Sequence, residues 1–211
     1  MSSSHQLYQR LFTKLHTLHP TLHQKRLAVW IWVIVGLIQS QSVQLSAIAN
    51  HIPGDAQAAG RIARIRRWLA SKWIVSRTLY HPLIHDVLQA WRGREVTIIL
   101  DGCFLRHKTL QILRVSLSHC YRALPLAWEV STSQGLVGLD VCEIMLEYIA
   151  SLLRRTRRVT FLADRGFRGR DWAWKCQTLG WDYIIRIANN TVITFPGGVQ
   201  YAADELGIKK D

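Results

Sequence analysis

Along this chain of 211 residues the spacing of apolar side chains changes once, near Arg94, and that change limits the folds open to it. Before it, apolar residues recur at mixed three- and four-residue intervals, as on a helix with one buried face. After it they come in short continuous or alternating runs bounded by turn residues, the pattern of strands, with helical stretches between them. The reading is an α/β protein: a helical front region over residues 1–92 and a mixed sheet with flanking helices over residues 93–211. Charge divides at the same place. Residues 1–92 hold eleven Lys and Arg against Asp55 and Asp86, a balance of +9; residues 93–211 hold sixteen against twelve acids, a balance of +4. A basic front suits a module that grips a polyanion; charge kept for solubility is the plainer alternative.

The front region reads as helices over 5–19 and 23–41, broken by Pro20. Its longest uncharged apolar run, Leu27 to Ile38, has twelve residues. A membrane span needs about 20, so the run is expected to be a buried helix. It follows a long polar stretch, unlike a secretory leader, so a soluble, unexported chain is expected. Cys103, Cys120, Cys142 and Cys176 stand far apart with no C-x-x-C pair, which excludes a zinc knuckle and fits a reducing cytosol. After Pro53-Gly54 a helix is expected over 55–73, with Asp55 as N-cap. It would bury Ile62, Ile65, Leu69 and Trp73 and turn Arg61, Arg64 and Arg67 outward, with Arg66 at the edge. Helix, tight break and arginine-faced helix outline a helix-turn-helix DNA reader; a solvated basic face on an ordinary bundle is the alternative.

From Arg94 onward, EVTIILDGCF, LQILRVSLSH and RALPLAWEVS predict three strands that can pair antiparallel. A helix over 139–155 follows, then a strand ending LAD, a helix near 171–179, the strand WDYIIRIA, and a hairpin turning at Pro196-Gly197-Gly198. Asp101 and Asp164 each close an apolar run, where a buried carboxylate is costly unless paired or metal-bound. If the first and fourth strands are neighbours, the two converge. Oxygen donors without His or Cys suit Mg²⁺ or Mn²⁺, and paired ions support in-line phosphoryl transfer. Capping of strands before turns is the competing reading.

ILDGCFL, LADRGFRGRDW and WDYIIRI, in this order and spacing, resemble the core of insertion-sequence transposases of the Asp-Asp-Glu class, in particular the insertion-sequence-four type. LSAIANHI through RIARIRRWL is similar to that family's N-terminal DNA-binding region. The resemblance spans about residues 25–190 and implies a ribonuclease H-like fold. It also implies Asp101 and Asp164 as the first two metal-binding catalytic acids, with Arg165 and Phe167 completing the second motif. It further implies Mg²⁺ or Mn²⁺ as cofactor, double-stranded DNA of terminal inverted repeats as partner, and dimers on paired ends. Arg61, Arg64, Arg67, Arg165, Arg168 and Arg170 are the expected DNA contacts, and a bacterial cytoplasmic, nucleoid-associated location follows.

The family's third acid is a Glu within Tyr-x2-Arg-x3-Glu-x6-Lys. Tyr183 and Arg186 have the first spacing, but Asn190 stands at the Glu position and no Lys follows at the last. Glu205 comes too soon after the hairpin. The expectation is an incomplete ribonuclease H-like domain that ends within an inserted β segment. Two rivals remain: a non-catalytic, truncated DNA-binding protein that inhibits transposition, and a stand-alone ribonuclease H-like nuclease. His81 and His85 have the i, i+4 spacing of a metal pair but no third ligand nearby, and read as a solvated face. The cluster Arg154, Arg155, Arg157 and Arg158 either holds phosphates close to the metals or compensates a helix C-terminus. Trp30, Trp32, Trp128 and Trp181 sit in apolar runs and are expected in the core rather than stacked on bases.

Overall fold

The computed structural model describes residues 3–53, 55–105, 109–132, 139–167 and 170–207. The chain forms two units, Met1–Val87 and Leu88–Asp211.

The first unit is helical: α1 (Ser3–Leu18), α2 (Gln24–Ser40), α3 (Leu45–Ala49), α4 (Ala58–Leu69) and α5 (Ser76–Leu88), the last reaching one residue into the second unit. The break at Pro20 separates α1 from α2, and His23 caps α2, its Nδ1 accepting from the Lys25 N–H at 3.2 Å. The apolar run of α2 is buried on two sides. Leu27, Ile31 and Val35 pack with Leu15 of α1, while Val33 packs with Ile48, Ala49, Ile52 and Ile65 around α3 and α4. A helix that is apolar around most of its circumference belongs in a core. Among the described residues, no helix is long and apolar enough to cross a membrane. Gly36 lets α2 and α3 touch, for a Cβ there would lie 2.6 Å from Ile48 Cγ2 and 2.8 Å from Ile48 O.

The arginine-bearing helix is shorter than its periodicity suggests. It starts at Ala58 behind Gln57, so Asp55 is not its N-cap, and it ends at Leu69, which leaves Trp73 outside. Ile65 is fully buried, but Leu69 and Trp73 are exposed. Trp73 instead lies beneath the cations Arg26 and Lys72, each 5.4 Å from its ring, a use of the aromatic face that needs no burial.

The second unit runs β1 (Glu95–Leu105), β2 (Leu110–His119), β3 (Arg122–Ser131), α6 (Leu139–Leu152), β4 (Arg158–Ala163), α7 (Arg170–Thr178), β5 (Asp182–Ile185), β6 (Val192–Thr194) and β7 (Gln200–Ala202). Five strands form one sheet in the order β3-β2-β1-β4-β5. The first three pair antiparallel; β4 joins β1, and β5 joins β4, in parallel. This is a mixed five-stranded sheet, as the strand and helix order led one to expect. β2 and β3 meet through a two-residue turn in which Cys120 and Tyr121 both have positive φ, 48° and 61°, the backbone that a tight right-twisted hairpin requires. Pro125 sits where the β2–β3 register shifts, so its missing N–H falls at the irregularity. Alternation then sorts the faces. Ile98, Leu100, Phe161 and Ala163 are buried on one face, where Trp172 of α7 stacks on Phe161 with ring centroids 6.2 Å apart. Cys142, Met145, Leu146 and Ile149, at helical spacing, form the buried side of α6. β6 and β7 make a separate hairpin with Gly197 and Gly198 at positive φ.

Candidate active site

β1 and β4 lie side by side and parallel, and their last Cα partners are Leu100 and Ala163. The next residue on each chain is an aspartate. Since successive side chains alternate across a sheet, Asp101 and Asp164 share the face opposite Leu100 and Ala163. Adjacent strands are about 4.8 Å apart, so the two carboxylates line one cleft, of about 610 Å³, together with Arg114, Ser116, Ile184 and Arg186.

Two expectations are corrected here. Asp101 does not end its strand: β1 continues to Leu105, paired with β2, and only the β4 pairing stops before Asp101. Nor is either acid buried, the side chains being 61% and 62% exposed. The cost of burying a carboxylate is therefore not what fixes them; strand register and the following turn do so. The Arg165 N–H donates to Asp164 Oδ1 at 2.7 Å, and the Phe167 N–H donates to Asp164 O at 2.9 Å, closing a short 3-10 turn. Phe167 anchors that turn by meeting Trp172 edge-on, 5.5 Å between centroids.

Each acid faces a guanidinium. Arg114 is the cross-strand partner of Asp101, with Nη2 3.8 Å from Oδ2, and Arg186 places Nη1 3.9 Å from Asp164 Oδ1. Both contacts are long and solvent-exposed, so they contribute little stability; they do offset the repulsion between neighbouring carboxylates. Arg114 went unassigned in the sequence because its place opposite Asp101 depends on hairpin register. Arg186 had a signal in the Tyr-x2-Arg spacing, which points to the acid of the preceding parallel strand.

The donor set suits a hard divalent cation: carboxylate oxygens, with no thiol or imidazole among the lining residues. Among the described residues, no third His, Cys, Asp or Glu joins the pair. Glu205 is engaged within its own turn, its Oε2 accepting from the Ala202 N–H at 2.8 Å. His81 and His85 lie on α5 with rings 6.2 Å apart. Arg165 and Arg170 are exposed and follow Asp164 closely in the chain, whereas Arg168 lies outside the described residues.

The helical unit changes the expected DNA face. Arg64, Arg66 and Arg67 are exposed on α4. Arg61 is half-buried and donates from Nη1 to Ile52 O at 3.1 Å, tying α4 to the end of the α3 segment. It is a structural tether and does not belong to the outward basic face. The cluster Arg154 to Arg158 is likewise not near the acids. α6 ends at Leu152, and Arg158 begins β4 while Asp164 follows its end, six steps of about 3.3 Å away, roughly 20 Å.

Residues 142–202, from α6 through β7, match the sequence family described as transposase DDE domain. The matched span contains Asp164 and excludes Asp101, so the pairing of the two acids rests on the sheet alone. No curated protein sequence matches the chain. Among solved structures, the chain is similar to the Mos1 strand transfer complex at 13% identity and a TM-score of 0.33, covering 79% of this chain and 60% of that one. It is also similar to the piggyBac transposase synaptic complex with hairpin DNA at 13% identity and a TM-score of 0.39, covering 88% of this chain. The chain thus spans 60% and 49% of the lengths of those two.

Proposed function

We propose that the chain, whose residues 142–202 match a transposase DDE domain, acts on DNA in transposition, with Asp101 and Asp164 as paired ligands of a divalent cation. The observation that carries this is their register: one residue beyond the last β1–β4 partners, on one face of a ribonuclease H-like sheet. Mg²⁺ or Mn²⁺ bound there would supply Lewis-acid stabilisation of the attacking and leaving oxygens of a phosphodiester. Asp101 and Asp164 would hold the ion, and the Arg165 N–H keeps the Asp164 carboxylate oriented. Arg165 and Arg170 contact phosphates beside the cleft. In the helical region, proposed to cover residues 1–92, Arg64, Arg66 and Arg67 grip the duplex through charge-assisted bonds. Terminal inverted repeats as the DNA, dimers on paired ends, and a cytoplasmic, nucleoid-associated site of action belong to the same reading, as does the insertion-sequence-four type.

A second reading is favoured by one observation: among the described residues, no third acid joins Asp101 and Asp164. Two-ion phosphoryl transfer normally needs more carboxylate than a single pair provides. On that reading the chain binds DNA and a cation weakly, does not cleave efficiently, and inhibits a complete enzyme. Nicking of supercoiled plasmid in Mn²⁺ separates the two. Nicking abolished by both Asp101→Ala and Asp164→Ala supports catalysis by this chain. Duplex binding without nicking supports the inhibitor. No duplex binding at all, by the intact chain at low salt, overturns both.

A further inference from the structure

The lead into β1 and the connection between α6 and β4 are far apart in sequence but are stitched together by two backbone hydrogen bonds. The Gly93 N–H donates to Arg155 O at 2.7 Å, and the Arg157 N–H donates to Arg94 O at 2.8 Å. This gathers Arg92, Arg94, Arg154, Arg155, Arg157 and Arg158, all exposed, along the edge of the molecule where the central strands β1 and β4 begin. Two of them are partly neutralised: Arg157 Nε lies 3.9 Å from Glu95 Oε1, and Arg158 is bonded to Asp182. The bond to Arg158 holds the Asp182 carboxyl below its usual range. Glu147, which borders the same edge, is already taken by Lys175 Nζ at 2.7 Å. Arg92, Arg94, Arg154 and Arg155 have no carboxylate within ion-pair reach among the described residues.

Arg154, Arg157 and Arg158 also line a groove of about 390 Å³, floored by Val159 and Trp181. Holding like charges together by main-chain bonds is unfavourable unless an anion is met there. Guanidinium forks match phosphate oxygens. A spread array before the starts of two central strands suits a row of phosphates better than a single small anion. The edge lies roughly 20 Å from the acids, at the opposite end of the same parallel strands, so it cannot belong to the cation cleft.

We infer that this arginine edge is a separate contact for the phosphate backbone of duplex DNA, positioning the duplex without reading its sequence. The inference rests on the reading of DNA as the partner. The test is binding of a labelled random-sequence duplex by the full chain, followed by fluorescence anisotropy over a salt series. In R92Q/R94Q/R154Q/R155Q the slope of log K against log salt should become shallower by about two to four, at ~0.9 for each phosphate no longer neutralised. R154Q/R155Q, which leaves both stitched segments otherwise intact, should reduce it by about one to two. R10Q removes one exposed charge from α1, in the helical unit, and should leave the slope unchanged, whereas R155Q should lower it. A quadruple variant with the wild-type slope, or an equal drop in R10Q and R155Q, overturns the inference while leaving DNA binding in place. Failure of the wild-type chain to bind any duplex would instead remove the DNA reading itself, and this inference with it.

Discussion

Leu100 and Ala163 are Cα partners at the last position where β1 and β4 pair, so the aspartates that follow them occupy equivalent places on one face of the sheet. Each carboxylate has its own guanidinium at 3.8–3.9 Å, Arg114 for Asp101 and Arg186 for Asp164. The cleft is therefore close to charge-neutral without a cation, and its response to metal depends on both kinds of group.

Cation affinity should depend on both acids. Calorimetric titration with Mn²⁺ is expected to show binding weakened by about tenfold or more in Asp101→Asn and in Asp164→Asn, because affinity at oxygen sites follows ligand charge. Unchanged binding in either variant would place the ion elsewhere.

Removing a guanidinium should act in the opposite direction. Arg114→Gln and Arg186→Gln each delete a positive charge beside the carboxylates. Mn²⁺ should then bind about three- to tenfold more tightly at low ionic strength, with the gain shrinking as salt is added. Weaker binding in these variants would mean that the arginines orient the acids rather than merely neutralise them.

Gly36→Ala should destabilise the helical unit by about 1–3 kcal/mol, the usual cost of overpacking. The new methyl would overlap Ile48 Cγ2 and the Ile48 carbonyl oxygen, and the backbone oxygen cannot turn aside. Urea denaturation followed by helical circular dichroism reads this directly, and a midpoint equal to wild type would show that α2 and α3 separate freely.

Thiol reactivity should divide two and two. Cys103 and Cys120 are exposed, whereas Cys142 and Cys176 are buried, and burial pushes the Cys176 thiol up to about 11. Thiolate is the reactive form. A native sample at neutral pH is expected to take up about two equivalents of an aromatic disulfide reagent promptly, and the remainder only on unfolding. Prompt reaction of all four would show that the sheet's helix-covered face opens readily.

Acid should weaken the helical unit through His19. This ring is buried, its Nε2 has no hydrogen-bond partner, and burial lowers its pKa below the ordinary 6.5. The unfolded chain then takes up a proton before the folded one does. The stability tied to the neutral ring is complete above 6.5 and is lost as pH falls through the lowered folded value. The urea midpoint should drop between pH 7.5 and 5.5, and drop less in His19→Gln; identical pH dependence in both would assign the effect to other histidines.

Much of this protein was legible in its sequence because the information was local. The two-residue alternation of EVTIILDGCF and RVTFLA, the helical spacing of Cys142, Met145, Leu146 and Ile149, and the break at Pro20 are each set by the geometry of a single segment. Periodicity could not state which segments become neighbours. The sheet order put Arg114 against Asp101 and Arg186 against Asp164, through hairpin register and parallel crossovers that no short motif encodes. It also carried Arg154 to Arg158 to the far end of β4 from the acids, although only a few residues separate them in the chain. Packing redirected Arg61 inward to the Ile52 carbonyl while leaving Arg64 and Arg67 in solvent. A helical wheel ranks faces by residue type, but only the neighbouring elements decide which face has something to touch.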